Sequence, residues 1–531
     1  MSSITTTPKG FARAIIVLTT VTAAVMELID TSIVNVALNE MSGSLGVNIE
    51  DVSWVITSYA IANVIIIPLT GFLAEYFGRK NYYIVSMIIF TIASYMCGQS
   101  NTLIELIVWR FIQGIGGGAL LSTSQSILFD AFEPKDRPIA AGLFGMGLVL
   151  GPTLGPTLGG YIIDHSSWPL IFMINIPVGI AATLLTFYFV DKKPDEGKHK
   201  AAIKIDYTGI FLLMAGVGCL QYVLERGEAE DWLSSESIRI CGTIAVLGLV
   251  SFVLYELNIK QPAVNLKLLG KKNLAVTTIF TFVAGFGLFT SVFVYPVLTQ
   301  RVLGFTAFET GNSLLLPTLA AVILMPFIGK MMSKGVTPVP LIFIGFILFS
   351  VYAFMSANVS LDVGKQDFFL PLLIRAVGIS LCQLPLINQV VVGLEPRDYP
   401  TAISLNNMTR QLGGAFGIAV ANNYVASRYA QHRSDLVSTI PNGSSLLNDR
   451  INATAQGIIA KTGDMAGAKT KAIAIVNGTV DRQAYFLSYL DSFRLIGVFF
   501  LLVIPLVVFL RVKKKSAAEN AIAMKAVSES H

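Results

Sequence analysis

Charge is what this sequence has least of. Only 13% of its 531 residues are Asp, Glu, Lys or Arg, about half of the roughly 25% usual in a soluble domain. A water-soluble fold of this size must cover its surface with polar side chains, and there are too few here to do so. With 53% hydrophobic residues and a mean hydropathy of +0.67, the chain reads as an all-α integral membrane protein. Cysteine is also scarce. Cys97, Cys219, Cys241 and Cys382 all fall inside apolar runs, which excludes an external disulfide framework. His165, His199, His432 and His531 are scattered, with no spacing that gathers a metal site on one helix face. The net charge of +5 is too small to suggest a nucleic-acid partner without a basic patch. No Gly-x-x-x-x-Gly-Lys-Ser/Thr phosphate loop occurs, so ATP-driven work would need a separate subunit.

What the sequence has in abundance is long apolar runs. About 20 mostly apolar residues are needed for a helix to cross about 30 Å of hydrocarbon, where only internally hydrogen-bonded backbone is tolerated. Fourteen such runs occur, near 11–38, 52–75, 82–99, 104–127, 138–163, 169–190, 207–225, 237–257, 274–298, 309–332, 336–356, 368–393, 401–427 and 486–511. The pair 207–225 and 237–257 is short, joined by an acidic turn holding Trp232 that reads as a hairpin tip. An even number of spans puts both termini on one side.

Lys and Arg in short loops choose that side. Lys9, Arg13, Arg79, Lys80, Lys135, Arg137, Lys260, Lys267, Lys271, Lys272, Lys330, Lys334 and Arg397 share the side of the termini. So do Lys192, Lys193, Lys198, Lys200 and Lys204, and a tail of Arg511, Lys513, Lys514 and Lys515. The short loops opposite hold little beyond Arg226, Arg301 and Lys365. The asymmetry predicts cytoplasmic termini. Trp54, Trp109, Trp168 and Trp232 then map near the outer interface, which suits an amphipathic indole. The external segment 428–485 is long, polar and rich in Asn, Ser and Ala, with weak helical periodicity around 453–459 and 466–475. Connections of that length are commonly functional or disordered, and the two readings of it are a tolerated solvated insertion and a docking surface for an external partner.

Four segments carry candidate chemistry. In the first run, Glu27 and Asp30 lie three residues apart on one helical face, with Asn35 about a turn further on. A carboxylate at that depth costs several kcal/mol unless paired, hydrated or protonated, so such a group can load and release protons. After the second run, Gly71-Phe-Leu-Ala-Glu75-Tyr-Phe-Gly78-Arg79-Lys80 forces a tight hairpin, and Glu75 and Arg79 are placed to pair across the bundle as a latch. In the fourth run, Arg110 is followed by Gln113, Gly114, Gly116, Gly117 and Gly118, a buried guanidinium that can tune a nearby carboxylate. In the fifth, Gly151, Pro152, Gly155, Pro156, Gly159 and Gly160 combine a flat face for close helix packing with two helix-bending prolines. Arg375, Gln383, Asn406, Asn407, Arg410 and Gln411 are further polar residues inside runs. Asn35, Gln113, Gln383, Asn407 and Arg410 are candidates for lining a substrate cavity.

Taken together, these segments resemble the major facilitator superfamily, in particular its fourteen-span drug:proton antiporters of the EmrB-like branch. The resemblance covers nearly the whole chain. Gly71 to Lys80 looks like the superfamily's motif A, Arg110 to Gly118 its motif B and Gly151 to Gly160 the antiporter motif C, the most specific of them. Leu28 to Leu38 looks like the first-span motif of the fourteen-span branch.

That resemblance implies a six-helix bundle over 1–190, two inserted helices over 191–260 and a second six-helix bundle over 261–531, rocking about a central cavity. It implies Asp30 as the proton-linked carboxylate, Arg110 as its partner, and the proton gradient in place of any cofactor. It also implies bulky apolar or amphipathic substrates, a bacterial inner-membrane location, and a periplasmic adaptor with an outer-membrane channel. Two residues depart from motif A, which commonly has Asp where Glu75 stands and Arg where Tyr76 stands. Glu27 is a second acid outside the usual pattern, which leaves open which carboxylate carries the proton.

The reading favoured is a proton-driven exporter. Proton-coupled uptake, or lipid or fatty-acid translocation on the same fold, is the alternative. An intramembrane enzyme or receptor is disfavoured, because no His lies within a predicted span.

Overall fold

The computed structural model of the chain describes residues 10–191, 205–441 and 444–510. Of the basic residues used above for orientation, Lys9, Lys192, Lys193, Lys198, Lys200, Lys204, Arg511, Lys513, Lys514 and Lys515 lie outside the described residues, as do His199 and His531.

The described residues form helices and turns, without strands. The long helices are α1 (Phe11–Leu45), α2 (Trp54–Phe77), α3 (Arg79–Gln99), α4 (Leu103–Asp130), α5 (Arg137–His165), α6 (Asn175–Phe189), α7 (Tyr207–Arg226), α8 (Glu236–Asn258), α9 (Lys272–Val297), α10 (Ala307–Ser333), α11 (Pro338–Ser356), α12 (Phe369–Gln389), α13 (Tyr399–Ser438), α14 (Ser445–Thr462) and α15 (Ala468–Val503). Among the described residues, thirteen helices are long and apolar enough to cross a membrane. α13 is the fourteenth. Asn406, Asn407 and Arg410 lower its hydropathy, yet all three are buried, so their polarity faces protein rather than lipid. The face on which the described residues begin and end is called the terminal face below.

Local signals set the helix ends. Gly78 has φ +82°, a left-handed backbone that favours glycine and lets α3 start one residue after α2 stops. Thr306 and Glu309 form a reciprocal capping box at the start of α10, with Thr306 Oγ1 accepting from the Glu309 amide at 3.1 Å. α1 ends at Gly46, also left-handed. Its 35 residues span about 52 Å, well beyond the about 30 Å of hydrocarbon.

Helices α1 to α6 pack on one another, with α5 against α1, α4 between α2 and α3, and α6 across α1 and α3. A second group is formed by α9 to α13 with α15, in which α9 pairs with α13, α11 with α12, and α15 with α13 and α11. The groups meet along two seams, α5 against α10 and α2 against α13. α7 and α8 form a hairpin whose first helix leans on α2 and α13, one helix from each group. Arg226 ties its tip to α2, donating to Ser53 Oγ at 2.6 Å and to the Glu50 carbonyl at 2.9 Å.

The long polar segment 428–485 is not an irregular loop. α13 continues eleven residues past the span expected to end at 427, α14 follows, and α15 begins at Ala468. Polar pairs zip the two projecting helix ends together. Arg433 Nε donates to Asp481 Oδ1 at 2.7 Å and the Tyr429 hydroxyl donates to the same oxygen at 2.9 Å. The rings of Tyr429 and Tyr485 stack at 4.0 Å. The segment is polar because water surrounds it, and helical because these pairs and α14 hold it.

Candidate functional site

Midway along α1 stands a carboxylate with no access to solvent. Asp30 is fully buried and Arg110 of α4 is 1% exposed. The Arg110 NH1 group donates to Asp30 Oδ2 at 2.6 Å and to Gln113 Oε1 at 2.8 Å. The other carboxylate oxygen accepts from Gln113 Nε2 and from Asn175 Nδ2 of α6, both at 2.8 Å. Asn175 in turn donates to Ser94 Oγ of α3 at 3.0 Å. Arg110 Nε donates to the Val55 carbonyl at 3.2 Å, and its guanidinium lies 4.2 Å from the centre of the Tyr59 ring. Asp30 is thus held by groups from two other helices, α4 and α6, and through Asn175 is tied to a third, α3. Low dielectric strengthens these bonds, and each one depends on the charge state of the carboxylate.

One helical turn toward the terminal face, Glu27 is also fully buried. Its Oε1 accepts from Asn63 Nδ2 at 3.0 Å and, more weakly, from the Tyr59 hydroxyl at 3.4 Å, while Oε2 has no partner. Asn63 is linked across the seam, since its carbonyl oxygen accepts from Gln411 Nε2 of α13 at 2.8 Å. The next residue back, Arg410, interacts electrostatically with Glu27. Its three guanidinium nitrogens are buried without a hydrogen-bond partner. Asn407 Nδ2 donates across the same seam to Ser122 Oγ at 3.2 Å and Gln125 Oε1 at 3.3 Å. Nearer the terminal face, Arg137 donates to the Tyr399 hydroxyl at 2.7 Å. The two groups of helices are therefore bridged by polar contacts from mid-height to the terminal face.

The remaining sequence candidates are placed as follows. Gln113 belongs to the shell of Asp30 rather than standing apart from it. Asn35 is exposed and bonds weakly to its own helix, at 3.4 Å to the Ser32 carbonyl. Gln383 is buried on α12 with Nε2 unpartnered. Gly71 allows α2 to touch α13, since a Cβ there would come within 2.8 Å of Thr401 Cα. Arg79 pairs with Asp130 and donates to Ser126 Oγ at 3.2 Å, both on α4. Of the two residues expected to pair with charges or a helix end across the bundle, Arg79 takes the carboxylate of Asp130 on α4. Arg79 is held within its own helix group, and Glu75 is exposed, with no hydrogen bond or ion pair among the described residues.

The Gly/Pro run forms the seam between α5 and α1. Gly151 faces Leu28, Gly155 faces Ser32 and Gly159 faces Ile33, each with no room for a Cβ. Gly160 is buried beside them. α5 runs as one helix through Pro152 and Pro156, and Ser32 Oγ donates across the seam to the Gly151 carbonyl at 3.4 Å. The seam grips the segment of α1 that carries Glu27 and Asp30.

Sequence reading missed Asn175, Ser94, Tyr59 and Asn63, which are ordinary polar residues in apolar runs until folding gathers them. One signal for a related feature was available. Arg110 lies seven residues into α4 and Arg375 six into α12, while Asp30 and Ser291 each lie nineteen residues after the start of α1 and α9. Arg375 donates to Ser291 Oγ at 3.4 Å. The second helix group repeats the arginine but carries serine where the first carries the acid, so the charged pair exists once.

Two six-helix groups meeting around buried charges at mid-height, with kinkable Gly/Pro seams, form the architecture of a secondary transporter. The chain belongs to the Major Facilitator Superfamily, whose family pattern matches residues 20–418. It is 31% identical to the multidrug export protein EmrB of Escherichia coli K12, over 92% of this chain and 93% of the relative. It is 31% identical to the fatty acid resistance protein FarB of Neisseria gonorrhoeae, over 94% and 96%. The colistin resistance protein EmrB of Acinetobacter baumannii is 26% identical over 92% and 94%. Among solved structures, the human organic anion transporter MFSD10 superposes with a TM-score of 0.55 at 15% identity, covering 92% of this chain and all but 1% of its own. That likeness carries the fold alone.

Proposed function

We propose that this protein is a proton-coupled antiporter that exports hydrophobic and amphipathic compounds across the bacterial inner membrane. The observation that carries the reading is the dry, fully bonded Asp30–Arg110 pair on a helix gripped by the Gly/Pro seam. Uptake of a proton by Asp30 removes the charge that holds Arg110, Gln113 and Asn175 in place. Arg110 keeps the Gln113 and Val55 oxygens and the Tyr59 ring, so the pair can part without stranding the cation. Tyr59 also touches Glu27, and Glu27 reaches Gln411 of the other group through Asn63. A change at Asp30 therefore has a bonded route to the seam that opens and closes.

The names of the relatives support export of drugs and fatty acids as the direction and substrate range. The basic loops support cytoplasmic termini, which puts the helical extension of α13 to α15 on the periplasmic side. There it presents a surface for an adaptor that joins an outer-membrane channel. The test is transport by purified protein in sealed vesicles under an imposed pH gradient. Substrate efflux coupled to proton entry is expected, and Asp30→Asn should abolish the coupling while protein remains in the membrane. Gradient-independent transport, or accumulation in the opposite direction, overturns the reading. For the adaptor, removing α14 should impair export in cells with the assembled system but spare transport in vesicles.

A further inference from the structure

Arg110 and Arg410 head the ranking by volume of fully buried side chains among the described residues. Their surroundings are opposite. Arg110 has a carboxylate, an amide oxygen, a backbone carbonyl and an aromatic face. Arg410 has only the charge of Glu27 and the face of the Phe289 ring, 6.0 Å from its centre, and its Nε and both terminal nitrogens lack acceptors. Glu27 answers it with an unpartnered Oε2, yet the two form no ion pair. Five N–H donors left without acceptors in a dry site are strongly unfavourable. A planar guanidinium in such a place is suited to binding an incoming carboxylate in a two-pronged way.

Position strengthens the case. Arg410 sits on α13 at the seam, beside Gln411, whose bond to Asn63 spans the two groups. α13 lies so close to α9 there that Gly413 packs on the Phe282 backbone and Gly414 on the Phe289 ring. A charged head and the Phe289 ring thus stand side by side within the second group, on the helix that forms its side of the seam.

We propose that Arg410 is an anion subsite, taking the acidic headgroup of an amphipathic substrate whose apolar part lies along Phe289, and that Glu27 is the resident competitor for the same guanidinium. This rests on the transport reading above, and it names a substrate class and a selecting residue for it. When the groups part, the substrate anion supplies the acceptors that Arg410 lacks. When they close, the charge of Glu27 opposes the anion and favours its departure.

The experiment titrates laurate, its uncharged twin methyl laurate and the cation dodecyltrimethylammonium against the purified full-length chain in lipid nanodiscs, reading tryptophan fluorescence. The wild type should prefer laurate over methyl laurate by about tenfold or more. Arg410→Gln should reduce that preference to about twofold or less, Arg410→Lys should keep part of it as a point charge without the fork, and Glu27→Gln should strengthen laurate binding. If Arg410→Gln does not fold, the Lys variant and Glu27→Gln decide. A wild type without preference, a preference that survives Arg410→Gln, or weaker laurate binding by Glu27→Gln overturns the proposal. Failure of the export reading looks different: vesicles show no gradient-driven transport of any probe while the Arg410-dependent preference persists, which supports the anion subsite.

Discussion

Asp30 and Arg110, eighty residues apart in the chain, meet at 2.6 Å with neither side chain more than 1% exposed. Replacing one partner of such a pair leaves the other charge uncompensated, whereas replacing both does not. Arg110→Gln alone should therefore destabilise the protein by about 3–5 kcal/mol, and adding Asp30→Asn should recover much of the loss. Thermal unfolding of the two singles and the double in detergent gives the cycle. Simple additivity of the single effects would show that the pair is not energetically coupled.

The latch of the α2–α3 hairpin can be assigned by comparing its two charged residues. Arg79→Gln and Asp130→Asn should each lower stability and transport by a similar amount, because each breaks the same contact within the first helix group. Glu75→Gln should change stability by less than about 0.5 kcal/mol, as expected of an exposed side chain away from packed features. A Glu75→Gln defect as large as that of Arg79→Gln would place an unseen partner on Glu75.

Packing predictions follow from the α1–α5 seam. Gly151→Val and Gly155→Val push a side chain into Leu28 and Ser32, and overpacking of this kind costs about 1–3 kcal/mol or more. Both should lower the unfolding temperature and slow transport. Gly43, on the same helix α1, has open space where its Cβ would go, so Gly43→Ala should be neutral or stabilising by about 0.5–1 kcal/mol. Equal tolerance at all three sites would remove the seam from the account.

Outside the spans, acid should loosen the helical extension. Hydrogen bonding from the Arg433 guanidinium holds the Asp481 carboxyl below its ordinary value of 3.8, and Lys471 does the same for Asp464. A depressed folded value means the stabilisation is fully present above the ordinary aspartate range and is lost as pH falls through the lowered value. Hydrogen exchange over residues 428–441 and 468–485, corrected for intrinsic rates, should be flat from neutral pH down to about 4 and rise below it. Arg433→Gln should move the onset upward. An unchanged onset would mean that the pair does not hold the extension.

The apolar runs made the spans legible from composition alone, because a crossing helix has to satisfy its own backbone and leave little else exposed. The segment 428–485 was legible only as polar. Its helicity depends on Tyr429, Arg433 and Asp481, which are far apart in sequence and signal nothing until α13 and α15 run side by side. Asp30 and Arg110 stood out as charges in lipid-length runs, whereas Asn175, Ser94 and Asn63 did not, since a single amide or hydroxyl in a span is common. Glu75 shows the converse. A motif placed it next to Arg79, but which way each side chain leaves its helix follows from the packing of α2 against α4.

The sequence by itself determined that fourteen segments belong in a bilayer, and that two acids and several arginines are held at a depth where charge is costly. Tertiary structure alone decided which of those charges find one another: Asp30 takes Arg110 and two amides, while Arg410 is left with Glu27 across a seam. Hydropathy is a property of each segment and survives in the linear chain, but pairing of buried charges depends on helix rotation and neighbour choice, which only the assembled bundle fixes.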